Sequence, residues 1–198
     1  MSWRNTTLSA GGVDHTYDVF QQHDKNNCGP SSIVMLVRQR LQKHVSIGFT
    51  QLSVGLSEQS SGKRDQSGAD ARWHAWGDDP KGGYSFMDDL ESTLKEKWPA
   101  LKASQDQTGS SHRAKLAACT PAKPALAHVA WVGGGGHFIV CLGKHGTDML
   151  WLDPFYGVVL CSHQEDATGD GLEYKTNQGS FGQGSNTGWS RLGIYTDP

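Results

Sequence analysis

A polar loop in this chain turns abruptly into an apolar helical pattern, and the residue at the junction is a cysteine. The stretch reads Gln21-Gln22-His23-Asp24-Lys25-Asn26-Asn27-Cys28-Gly29-Pro30-Ser31-Ser32. Pro30 is a favoured first-turn residue, and Ile33, Leu36, Val37 and Leu41 follow three or four apart on one face. The spacing predicts a helix that starts at Cys28 or just after it and runs to about His44. Unpaired N–H groups and the positive end of the helix dipole favour negative charge there. The junction therefore raises the share of Cys28 present as thiolate, the form that does chemistry. A buried structural cysteine is the alternative that residue type alone favours.

A second constraint lies far downstream. The run Gly133-Gly134-Gly135-Gly136-His137-Phe138-Ile139-Val140-Cys141-Leu142 and the run Asp148-Met149-Leu150-Trp151-Leu152-Asp153-Pro154 flank Gly143-Lys144-His145-Gly146-Thr147. Two apolar runs around such a turn predict a hairpin centred near His145, with residues whose numbers sum to about 290 facing each other. His137 and Asp153 meet that sum. Directly opposed residues have Cβ atoms about 4.5 to 5.5 Å apart, near enough for a carboxylate to accept a hydrogen bond from an imidazole N–H. Thiol, imidazole and carboxylate together suit nucleophilic catalysis. Cys28 attacks a carbonyl carbon, His137 gives its proton to the departing amine, and Asp153 orients the ring.

In that chain order, with Gln22 six residues before Cys28, the four positions resemble papain-like cysteine peptidases. The resemblance is closest to the peptidase domains of bacteriocin-processing ABC transporters. Those domains also begin with a glutamine and a Cys-Gly at the head of a helix, followed by a His opening an apolar strand and an Asp-Pro closing the next. The match covers mainly residues 17–44 and 125–160, and Asn27 stands where those domains usually carry Asp. It implies an α+β papain-like fold, with the nucleophile at the N-terminus of a helix packed on an antiparallel sheet that carries His137 and Asp153. It also implies an oxyanion hole made by Gln22 and the Cys28 backbone N–H, and an aromatic, Phe155, over the His–Asp pair. The implied reaction is hydrolysis of a peptide bond in a protein substrate, after small residues such as a double glycine. Gly135 and Gly136 then either let a substrate backbone approach the cleft or form a plain flexible hairpin loop. A peptidoglycan amidase or a transglutaminase-like acyl transferase uses the same three residue types, and a catalytically silent binding module would keep the scaffold.

The remaining signals mostly exclude. A length of 198 residues suits one domain over 1–198, and a net charge of −2 gives no basic footprint for nucleic acid or an anionic membrane. The four cysteines lack Cys-x-x-Cys spacing, so neither a structural zinc nor a disulfide scaffold is expected, and no metal or cofactor is implied. The N-terminus has no apolar core of signal-peptide length and no run of about 18 apolar residues occurs, which predicts a cytoplasmic protein without a membrane span. Export by a route that reads no cleavable signal would suit a bacterial effector or toxin. Its target would be an intracellular protein, and its partner a cognate inhibitor or immunity protein.

Along the chain, residues 1–16 read as a loosely held arm and Tyr17–Gln21 as a short strand. The stretch about 45–84 reads as a polar insertion with Trp73 and Trp76 as packing anchors. Ser85 and Asp88 resemble a capping box, and Phe86, Leu90, Leu94 and Trp98 recur at helical spacing. A third helix is expected over His112–Cys119, strands over Ala125–Val132 and Val158–Cys161, and a Gly/Ser-rich loop over about 162–190. Trp189 and Leu192–Tyr195 are expected to close the sheet as an edge strand. No Gly-Lys-Ser/Thr follows the four glycines, so they do not read as a phosphate loop. Of the nine histidines, His23 reads as solvated, His128 as a core residue, and His145 and His163 as exposed turn residues. His44, His74 and His112 lack ligand-spaced partners.

Overall fold

The computed structural model describes residues 2–22, 27–42, 87–106, 109–162, 164, 171–177 and 179–197. The expected insertion with Trp73 and Trp76 lies outside the described residues, as do Ser85, Phe86, His23, His44, His74 and His163.

The N-terminus is not a loose arm. Ser2–Ala10 (β1) and Val13–Gln21 (β2) form an antiparallel hairpin paired from Ser2↔Gln21 to Ala10↔Val13. Its turn, Gly11-Gly12, has φ of 57° and 78°. Two consecutive residues in that left-handed region match the primed turns whose twist suits a two-residue hairpin. Trp3, Leu8, Tyr17 and Phe20 pack against the core, while Thr7 bonds Thr16 and Asn5 bonds Asp18 on the exposed side.

After β2 come α1 (Cys28–Leu41), α2 (Met87–Lys97), a 3-10 turn (Pro99–Leu101), β3 (Ser104–Asp106) and α3 (Gly109–Ala117). The strands β4 (Ala125–Trp131), β5 (Gly136–His145), β6 (Asp148–Asp153), β7 (Gly157–Ser162), β8 (Leu172–Lys175) and β9 (Thr187–Tyr195) follow. Seven strands form one antiparallel sheet in the order β3-β9-β4-β5-β6-β7, with β8 also paired to β9. Two expectations are corrected here. The stretch about 162–190 is not all loop, since β8 lies within it. The C-terminal strand is not an edge, since β9 pairs with β4 on one side and with β3 and β8 on the other.

The sheet is buried on both faces, and its strands sort their side chains by alternation. Leu126, Phe138, Val140, Leu152 and Val158 face a cluster that includes Ile33, Leu36 and Val37 of α1 and Leu90 and Leu94 of α2. Ala127, Val129, Ile139, Trp151 and Val159 face a second cluster closed by Leu116 of α3 and by Leu172 and Tyr174 of β8. Among the described residues, no helix is long and apolar enough to cross a membrane.

Helix α1 runs through the first cluster, with Ile33, Met35 and Leu36 at 0% exposure. It stops at Leu41, short of the expected His44, because Gln42 turns left-handed (φ 54°). The Gln42 side-chain amide caps that end by donating to the Gln39 carbonyl at 2.7 Å. At the other end the small residues Gly29, Ser31 and Ser32 are buried, and the Ser32 hydroxyl donates to the Phe138 carbonyl at 2.8 Å. That bond sets the head of α1 against the start of β5.

His112 joins α3 to the sheet. The ring is fully buried, with Nδ1 on the Tyr195 hydroxyl and Nε2 on the Ser190 hydroxyl at 3.0 Å. Burial pushes its pKa down to about 4, against a smaller upward pull from Asp106. The unfolded chain takes up this proton near pH 6.5 and the folded one only near 4. Stability is therefore expected to fall as pH drops through that window, by roughly 1.4 kcal/mol per pH unit from this group. Thermal melts from pH 7 to 4 should show that slope reduced in His112→Gln, and an unchanged slope would contradict the assignment.

Candidate active site

Four element ends converge at one corner of the sheet. Cys28 heads α1, Gln22 follows β2, His137 is the second residue of β5, and Asp153 is the last of β6. The Gln22 backbone N–H donates to the Pro154 carbonyl at 2.8 Å, so the end of β2 is tied to the residue after Asp153.

His137 and Asp153 meet, but not as directly opposed residues. The hairpin turn is Gly146-Thr147, and the pairing shifts between Cys141 and Gly143. Beyond that bulge Leu152 faces Val140, which brings Asp153 level with Ile139, two residues from His137 on the same face. Such a diagonal neighbour is still within reach of a long side chain. His137 Nε2 lies 2.9 Å from both Asp153 Oδ1 and Oδ2.

The carboxylate is fully buried and accepts from four groups. Besides His137, the Phe155 and Tyr156 backbone N–H groups donate to Oδ1 at 2.7 and 2.9 Å, and the Tyr174 hydroxyl donates to Oδ2 at 2.8 Å. Burial by itself would push the His137 pKa down. The charge and hydrogen bond of Asp153, with a hydrogen bond to the Cys28 thiol, outweigh it and push the pKa up to about 10. His137 is thus an imidazolium at neutral pH, in contact with Cys28 on one side and Asp153 on the other. Because its folded pKa is raised, this pair contributes stability fully below pH 6.5 and loses it as pH rises through about 10.

The other expected residues sit around this pair. Gln22 is 4% exposed at the same corner. Gly135 is exposed on the β4–β5 loop at φ +84°, and Gly136, also exposed, is the first residue of β5, where a Cβ would lie 2.3 Å from His128 Nε2. Phe155 reaches Asp153 through its backbone, while its ring packs on Tyr156 at 5.1 Å. The ring stacked on His137 is Trp131, at 5.5 Å and 23°, with Tyr156 edge-on at 6.5 Å. Sequence reasoning missed Trp131 and Tyr174. Trp131 had a positional signal, since it directly precedes the glycine-rich loop that leads into His137. Tyr174 had none, lying in a polar stretch whose strand was not recognised. His128 is half-buried against Phe138, and His145 is half-buried against His15, with ring centroids 4.2 Å apart, rather than exposed. Among the described residues, no three His, Cys, Asp or Glu side chains group as a metal site.

No family model matches the chain, and neither does any curated protein sequence. Solved structures do match. One is a double glycine motif protease from an AMS/PCAT transporter in complex with the leader peptide, covering 90% of this chain and 91% of that chain, with TM-score 0.50 and 15% identity. Another is the peptidase domain of Streptococcus ComA, a bifunctional ABC transporter of a quorum-sensing pathway, covering 98% and 99%, with TM-score 0.52 and 12% identity. The fold is that of a papain-like peptidase domain. Its α+β layout, with a cysteine heading the helix that packs on an antiparallel sheet, is the one the residue order pointed to.

All four cysteines are free, and Cys28 and Cys119 are nearly equally exposed, at 9% and 8%. Exposure therefore does not separate them, and the neighbouring imidazolium does. Burial pushes the Cys141 thiol well up and the Cys161 thiol up to about 11. A limiting amount of an epoxide that alkylates papain-like thiols, added at pH 7, should modify Cys28 alone. Peptide mass analysis that found the label spread over Cys119, Cys141 and Cys161 would remove the case for an activated Cys28.

Proposed function

We propose that this protein is a cysteine peptidase that hydrolyses peptide bonds of a protein substrate with Cys28, His137 and Asp153. One observation carries the reading: a buried imidazole lies between the thiol at a helix head and a buried carboxylate. His137 Nε2 faces Asp153, which leaves Nδ1 for the thiol. In acylation Cys28 Sγ attacks the carbonyl carbon, while the Gln22 side-chain amide and the Cys28 backbone N–H stabilise the oxyanion. His137 passes its proton to the leaving amine as the C–N bond breaks. Water then gives a proton to the neutral His137 and attacks the thioester, releasing the carboxylic product and restoring the thiolate and imidazolium.

Small residues before the scissile bond, such as a double glycine, are the preference we propose. Gly135 and Gly136 support it, since both are exposed immediately before His137, and so does the double glycine motif of the AMS/PCAT neighbour. We further expect an intracellular protein target, as for an effector or toxin. Expression in the bacterial cytosol should then be toxic in a Cys28-dependent manner, and N-terminal proteomics of wild type against Cys28→Ala would read out the cleaved bonds. Lysis confined to periplasmic expression would point to a cell-wall amidase instead.

The roles make graded claims. On any cleaved peptide, kcat/KM of folded Cys28→Ala and His137→Ala should fall to background, and Gln22→Ala should lose about 10² to 10³. Asp153→Asn should retain more activity than Asp153→Ala, since an amide oxygen can still accept from the imidazolium. It should also move the alkaline limb of the pH profile to lower pH than in the wild type, because the charge that raises the His137 pKa is gone. An active His137→Ala, or Asn no better than Ala at 153, would show the pairing to be wrong.

A further inference from the structure

We propose that Tyr174 is a positioning residue of this site, acting on His137 through Oδ2 of Asp153 and, by packing, through Trp131. The inference rests on the peptidase reading for its kinetic part. It starts from how the donors divide: Oδ1 takes the Phe155 and Tyr156 N–H groups, Oδ2 takes the Tyr174 hydroxyl, and His137 Nε2 faces both oxygens. With donors on both oxygens, the carboxylate plane is held where each oxygen lies 2.9 Å from Nε2. Without the Tyr174 hydroxyl only Oδ1 keeps a donor besides the imidazole, and the carboxylate torsion loosens.

Tyr174 is built for a fixed donor. It is fully buried, with its ring against Trp151 at 5.5 Å and Trp131 at 5.9 Å. Burial first, and the Asp153 charge second, push its pKa well above 10, so the oxygen keeps its proton and can only donate to the carboxylate. The same side chain braces the far side of the imidazole, because the Trp131 ring that it touches is the one stacked on His137. Gly188 makes the brace possible. It pairs with Tyr174 on β8 and with Trp131 on β4, and a Cβ there would lie 2.8 Å from Trp131 Cε3 and 2.6 Å from the Ala130 carbonyl oxygen. Only glycine at that position lets the indole lie across β9.

Tyr174→Phe keeps the ring and removes the hydroxyl, so it tests the bond with little change to the packing. Its kcat should fall about tenfold or more, the size expected for one hydrogen bond to a charged group, with KM unchanged. In an Asp153→Ala background the same substitution should cost nothing further, whereas a merely structural role would cost the same in both backgrounds. A second readout needs no turnover. Proton NMR of the intact protein should show a downfield, exchange-protected His137 Nε2–H signal that is lost in Tyr174→Phe while the melting temperature of the variant confirms that it is folded. An unchanged signal overturns the proposal whatever the activity. A lost signal in a protein with no Cys28-dependent peptidase activity upholds the positioning role and removes the peptidase reading instead. Should Tyr174→Phe fail to fold, Gly188→Ala supplies the alternative, expected to lower kcat and shift the same resonance by displacing Trp131; wild-type behaviour there would overturn the brace.

Discussion

A carboxylate with no solvent exposure is the constraint on which the rest of the site depends. Taking an isolated charge out of water costs far more than a domain can spare unless every lone pair finds a donor. Asp153 finds four, and they come from residues 137, 155, 156 and 174. The first three belong to one hairpin and its following turn, so local chain geometry brings them together. The fourth comes from β8, which reaches the site only because β9 inserts beside β4 and carries β8 with it. The buried charge thus depends on the order of the whole sheet, and a change at the β8–β9 pairing is felt at the imidazole.

The thiol is positioned by a different layer. Cys28 belongs with the cluster under α1, whereas Met149 and Trp151, on the same strand face as Asp153, look into the other cluster. The two halves meet at the sheet's end, where the Ser32–Phe138 bond holds the helix head to β5 and the Gln22–Pro154 bond holds β2 to the turn after β6. Glycine and serines in the first turn of α1 let its backbone come that close.

What was legible in the sequence was what local chemistry dictates. The junction at Cys28, the apolar face of α1, the hairpin of β5 and β6 and the pairing of His137 with Asp153 all follow from period, turn residues and residue type. Of the N-terminal hairpin only Tyr17–Gln21 was read as strand, because Ser, Thr and Asn make up most of β1, although Gly11-Gly12 between two alternating runs was a hairpin signal. Strand β8 was missed for a different reason. Four residues in a glycine- and serine-rich stretch make too short a pattern, and their strand character comes from the partner β9 rather than from their own propensity. Tyr174 packs against Trp131 and Trp151, which are distant in the chain, and no local pattern encodes that.

The register of the central hairpin shows how a packing demand elsewhere sets the chemistry. Gly143 sits at φ +96°, and a Cβ there would lie 1.8 Å from the Cys119 carbonyl oxygen, so the strand bulges where the end of α3 presses against it. Continued without the bulge, the turn's register would set Asp153 across from Val140, on the sheet face opposite to His137; the bulge brings it level with Ile139, on the same face as His137. There the carboxylate lies diagonal to His137 and meets Nε2, which leaves Nδ1 for the thiol. The one-residue bulge that local pattern reading did not foresee is therefore what puts the carboxylate and the imidazole on one face of the sheet.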